Sequence, residues 1–171
     1  MSKIFLTLLC ALSLSANVLI SPQDAMKLAY GSDIKIKKKN ILLSKTQAQK
    51  IQKEAKVKLR SKIFRTFKAT KENTTLGYGI LINKKVRSKN AVILYFISKG
   101  TLKSIEIIAF NEPREYLPSK NWNSQFQNLP TSKLLRVSKE IPTITGATLS
   151  ARSVVEGSRV AFALYNELLR N

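Results

Sequence analysis

A continuous apolar run, Ala91-Val92-Ile93-Leu94-Tyr95-Phe96-Ile97, leads directly into Ser98-Lys99-Gly100-Thr101 and then a second apolar stretch from Leu102 to Phe110. A run of this kind, bounded by turn residues, reads as a buried central strand. The Gly-containing turn folds its neighbour back beside it as a hairpin, with Ile105, Ile107 and Ile108 inside. Upstream, Leu76, Tyr78, Ile80 and Ile82 alternate with other residues, so residues 75–83 read as a further strand. Gly77 and Gly79 occupy its other face. Glycines there mark either a sharply twisted sheet or a close approach by something flat.

Helices flank these strands. Ser21-Pro22-Gln23-Asp24 reads as a helix start, and Gly31-Ser32-Asp33 ends that element. Residues 33–40 are strongly basic, with Ile34 and Ile36 alternating with charge, which suggests an edge strand. Lys37-Lys38-Lys39 is expected to be solvated. Ser44 with Gln47 matches a capping box and predicts a helix running to Lys56. Residues 58–69 alternate as a strand with Ile63, Phe64 and Phe67 apolar. Trp122 and Phe126 are four apart on a short helix over 121–128; Trp122 is either an apolar anchor over the sheet or part of a pocket wall. Leu129-Pro130-Thr131 breaks the chain, and Leu134, Leu135 and Val137 suggest a short strand. Val154, Val155, Phe162, Tyr165, Leu168 and Leu169 then form the apolar stripe of a long C-terminal helix. The fold class is therefore α+β: a single domain with a twisted, mostly antiparallel sheet, packed helices and a long C-terminal helix.

The start of that last helix carries the chemistry. Pro142-Thr143-Ile144-Thr145-Gly146-Ala147-Thr148-Leu149-Ser150 offers backbone N–H groups and hydroxyls with little side-chain bulk. A helix N-terminus has unpaired N–H groups and a partial positive charge, which favour a phosphate. The plainer reading of the same residues is a Thr145 N-cap followed by Gly and Ala.

Thr145-Gly146-Ala147-Thr148 resembles the attachment motif of the FMN-binding domain family. That family includes the covalent-FMN subunits of the sodium-translocating NADH:quinone oxidoreductase and of the Rnf complex. The resemblance spans residues 44–169 and is strongest over 145–150. It implies FMN as cofactor, joined through its phosphate to the Thr148 hydroxyl as a phosphodiester by a separate flavin transferase. Thr145, Gly146, Ala147 and Leu149 would surround the attachment point. Glu112, just after the second hairpin strand, matches an acid of the family. The motif's Asp position holds Pro142 here, and Glu140 is the nearest upstream acid. On this resemblance, a flavin ring stacked near Gly77 and Gly79 and a flavin-pocket wall at Trp122 join the open readings above. No catalytic side chain and no metal ligand is implied.

The amino terminus adds a location. Lys3 followed by Ile4 through Leu12 reads as a signal peptide over residues 1–16, with Ser13-Leu14-Ser15-Ala16 supplying small residues for cleavage. The alternative is an uncleaved anchor prolonged by Asn17-Val18-Leu19-Ile20. Residues 17–43 would then be a basic segment and 44–171 the FMN-binding domain, in the periplasm or otherwise outside the cytoplasm. Cys10 is the only cysteine and histidine is absent, which excludes a Ser-His-Asp triad, a Cys-His dyad and a Cys/His zinc site. Redox chemistry would thus need an organic cofactor.

Thirty Lys and Arg against ten acids make a net charge of +20, a surface that attracts anions such as phospholipid head groups. The basic residues are spread along the chain without a nucleic-acid motif, so nucleic acid is not an expected partner. The expected partners are a flavin transferase, a membrane or exported redox protein, and an anionic membrane surface. The competing reading is a degenerate domain of the same kind, acting as a basic binding protein at the membrane surface without covalent flavin.

Overall fold

The computed structural model describes residues 18–170, so the expected leader at 1–16 lies outside them. The described residues form one α+β domain. Six strands run in chain order across one antiparallel sheet: β1 (Lys35–Leu42), β2 (Ile63–Lys71), β3 (Thr74–Lys85), β4 (Asn90–Ser98), β5 (Thr101–Phe110) and β6 (Leu129–Pro130). The four α-helices are α1 (Pro22–Tyr30), α2 (Lys45–Ala55), α3 (Lys120–Ser124) and α4 (Thr148–Leu168). No helix among the described residues is long and apolar enough to cross a membrane.

Local chemistry accounts for most boundaries. Ser21 caps α1 by accepting from the Asp24 N–H, and Gly31 closes it. In α2 both bonds of the capping box form: the Gln47 N–H donates to Ser44 Oγ at 3.1 Å and the Ser44 N–H to Gln47 Oε1 at 3.0 Å. Lys99 (φ 49°) and Gly100 (φ 75°) make the two-residue turn joining β4 to β5. Four sequence expectations shift. The helix expected over 121–128 ends at Ser124. Leu129–Pro130, expected as a break, pairs with β5 as β6. Two strand expectations also change. The strand expected from residue 58 starts at Ile63, because Lys56 ends α2 in a left-handed conformation and the Leu59 N–H turns back to Gln52 Oε1. The strand expected at Leu134–Val137 is a loop instead: Ser138 (φ 64°) turns the chain so that Val137 meets Ile141 in an isolated bridge.

The two faces of the sheet differ. On one, α4 lies over β3 and β4, and α2 packs against α4. Ile80, Ile82, Ile93, Tyr95, Ile97 and Ile105 point into this larger core. The other face carries α1 over a smaller cluster of Met26, Phe67, Leu94, Phe96 and Ile108. At Gly77 and Gly79, read from the sequence as a sharply twisted sheet or a close approach by something flat, the space is taken by side chains of α1. A β-carbon on Gly77 would stand 2.5 Å from the Tyr30 hydroxyl, and one on Gly79 would stand 2.5 Å from Met26 Sδ. The Tyr30 hydroxyl is shared between the Tyr78 and Ile97 carbonyls, each at 3.1 Å.

Candidate functional site

The segment leading into α4 is anchored from below. Ile141 is fully buried, and the Trp122 indole N–H donates to the Pro142 carbonyl at 2.9 Å. Trp122 is itself buried and meets Phe126 edge-on at 5.3 Å. It is therefore an apolar anchor that also holds the backbone at the position where the resembled motif has its Asp. Glu140, the nearest upstream acid, is taken up by Arg136, whose Nε and Nη2 reach its two oxygens at 3.2 and 2.8 Å. That partner holds its carboxyl down at about 2.

Beyond Pro142 the chain rises to the surface. Thr143 and Thr145 are exposed and Ile144 packs against the core. Gly146 takes φ +76°, a conformation that a β-carbon disfavours, and a β-carbon there would find no neighbour within 4 Å. The N-cap of α4 is Ala147, not Thr145, and no side chain caps the helix. An alanine N-cap leaves the first N–H groups to solvent or to a ligand. Thr148 is thus the first residue of α4. Its exposed hydroxyl accepts from the Thr143 hydroxyl at 3.4 Å, a weak contact.

Gly146, Ala147, Thr148, Leu149 and Ser150 line one cavity of about 320 Å³ together with Arg87 and Tyr116. Ser150 is 1% exposed, and its Oγ is buried with no hydrogen-bond partner among the described residues. Such a group is costly unless something bonds it. The Arg87 guanidinium lies over the Tyr116 ring, 4.3 Å from its centre.

Arg87 is held there by Glu112. One oxygen of the buried Glu112 carboxylate accepts the backbone N–H groups of Arg87, Ser88 and Lys89 at 3.0, 2.6 and 2.7 Å. The Lys89 bond foremost, with those of Ser88 and Arg87, outweighs desolvation and holds this carboxyl below its ordinary range. The clamp ties the β3–β4 turn to the end of β5 and presents Arg87 to the start of α4.

Of the residues expected from the sequence, Gly146, Ala147, Thr148 and Leu149 come together in the cavity. Thr145 lies outside its lining, and Glu112 acts one step away, through the turn that bears Arg87. Arg87, Tyr116 and Ser150 were not expected. Ser150 alone had a local signal, since it is the next hydroxyl along the same run.

The arrangement can hold an anion. Arg87, the unpaired N–H groups at the start of a long helix and the exposed Thr148 hydroxyl border one small space, with the buried Ser150 also in its lining. The fold is similar to that of NqrC. The comparison structure is NqrC from Shewanella oneidensis, with a TM-score of 0.57 at 13% identity over 86% of this chain and 88% of that one. At that identity the relation to NqrC is a distant one of fold, and fold alone does not assign function. No protein-family model and no curated protein matches the chain.

Proposed function

We propose that this chain is an electron-transfer flavoprotein of the periplasm or another space outside the cytoplasm, its FMN joined through the phosphate to the Thr148 hydroxyl. The observation that carries this reading is the position of Thr148: first residue of the uncapped α4, exposed, and in one cavity with Arg87 and Ser150. This is where the resemblance of Thr145-Gly146-Ala147-Thr148 puts the attachment residue. The fold likeness to NqrC is consistent with the flavoprotein part of this reading.

The residues present fit a phosphate. Arg87 would pair with its charge, and the Thr148 and Leu149 N–H groups would face it at the helix start. Open space at Gly146 leaves room for a modifying enzyme to reach the hydroxyl. Bound FMN supplies the transfer of electrons, and the chain's part is to tether it and fix its charge environment. A flavin transferase would attach it, and a membrane or exported redox protein would exchange electrons with it.

A second reading has its own observation. Pro142 stands at the motif's Asp position, with its carbonyl held by Trp122. In β1, Lys35, Lys37 and Lys39 are exposed on one face of the edge strand. A domain without covalent flavin, resting on an anionic membrane surface, would use those two features. Intact mass of the protein produced with a flavin transferase separates the readings. A gain of one FMN less one water, absent in Thr148→Ala, is the expected result. An unmodified wild type beside a flavinylated control substrate would instead select the second reading.

A further inference from the structure

The loop from Lys56 to Lys62, between α2 and β2, borders a second cavity of about 250 Å³. It shares no lining residue with the Thr148 cavity. Val160 in its wall is twelve residues beyond Thr148 on α4, roughly 18 Å along the helix axis. Its walls are apolar: Val57, Leu59, Phe64, Ile82 and Val160 all contribute. Its polar groups are mainly cationic, namely Lys58, Arg60, Arg65 and Lys84.

These cations are not neutralised equally. Lys84 is largely buried and pairs with Glu156 at 2.7 Å. Arg65 Nε donates to Asn40 Oδ1 at 3.3 Å. Lys58 and Arg60 make no ion pair among the described residues. A shallower depression beside the cavity shares Val57, Lys58, Leu59, Arg60 and Lys84, and only Glu156 adds an acid to it. A solvated basic face would need no apolar recess behind it. Here the recess and the unpaired cations adjoin, which is the pattern of a site for a molecule with one apolar part and one anionic part.

We propose that this cavity binds a small amphiphilic carboxylate, its apolar body against Phe64, Ile82 and Val160 and its carboxylate at Arg60 and Lys58. Size limits the body: the volume lies just below the range of about 300–1,000 Å³ that holds drug-sized ligands. Charge limits the head. The Arg60 fork suits a carboxylate, and Glu156, the acid of the neighbouring depression, is already paired with Lys84.

The test is titration of the full chain with octanoate, followed by amide chemical shifts, with octanol as the uncharged counterpart. Saturable binding of one octanoate per chain is expected, with shifts at Val57–Arg60, Ile82–Lys84 and Val160. Arg60→Ala, an exposed change whose own spectrum reports its folding, should weaken octanoate about tenfold. Octanol should bind weakly to both proteins. Three results would overturn the proposal: shifts scattered over Lys35–Lys39, equal binding of octanol and octanoate, or an Arg60→Ala variant that binds as well as wild type. Absence of any octanoate shift overturns it as well.

Discussion

Gly77 and Gly79 in β3 and Gly146 before α4 are the same residue type used in opposite ways. In the sheet, the space left by the missing β-carbons is filled by the chain itself, through Tyr30 and Met26 of α1. Gly157 repeats this inside α4, where the Tyr95 hydroxyl occupies the gap and donates to the Val154 carbonyl at 2.7 Å. At Gly146 nothing occupies it. The sheet glycines are packing devices, and the glycine beside Thr148 keeps a surface hydroxyl accessible. A small residue states only that something comes close or must turn; its surroundings decide which.

Alanine substitutions sharpen or break this contrast. Gly77→Ala should be the most damaging, because the new methyl would meet the Ile97 carbonyl at 2.6 Å as well as the Tyr30 hydroxyl. Backbone cannot swing aside, so a loss of about 3 kcal/mol is expected from the urea midpoint at unchanged slope. Gly157→Ala comes next. The helix itself prefers alanine by about 1 kcal/mol, but displacing Tyr95 costs up to about 3 kcal/mol, for a net loss of about 2 kcal/mol by the same measurement. If that variant is instead more stable than wild type, the Tyr95 contact is soft and the contrast fails at that position.

Glu112→Ala removes the acceptor of three backbone N–H groups and should cost about 2 kcal/mol. It should also weaken binding of free FMN phosphate, by releasing the turn that bears Arg87. Since the folded-state pKa of Glu112 is depressed, its contribution is present above the ordinary carboxylate pKa. It is lost as pH falls through the lowered folded value. Glu112→Gln should therefore flatten the acid limb of the stability curve, and an acid limb unchanged from wild type would deny the clamp.

Gly146→Ala should have the smallest effect on stability, about 1 kcal/mol from the left-handed backbone alone, with no packing cost. A loss as large as that of Gly77→Ala would mean that the turn before α4 is packed after all.

Much of this was legible in the chain. The capping box at Ser44, the turn at Lys99-Gly100, the β4–β5 hairpin and the apolar stripe of α4 are each written within a few residues, and each formed as read. The start of α4 was half legible. The hydroxyl-bearing run marked a helix N-terminus, but Thr145 does not cap it, because Gly146 in its left-handed conformation delays the first turn to Thr148. Nothing near Arg87 in sequence distinguishes it from the other cations, since its placement depends on an acid 25 residues away.

The sequence by itself determined most of the elements and their order, and it singled out Thr148. Alternation, caps and turn residues act over short separations, so their physics is complete within each segment. Only the tertiary structure decided what surrounds that threonine and what fills the glycine gaps. The Glu112 clamp, the Trp122 bond to Pro142 and the seat of Tyr30 against β3 join residues far apart in the chain. Such contacts depend on how faces pack, and packing is a property of the folded whole.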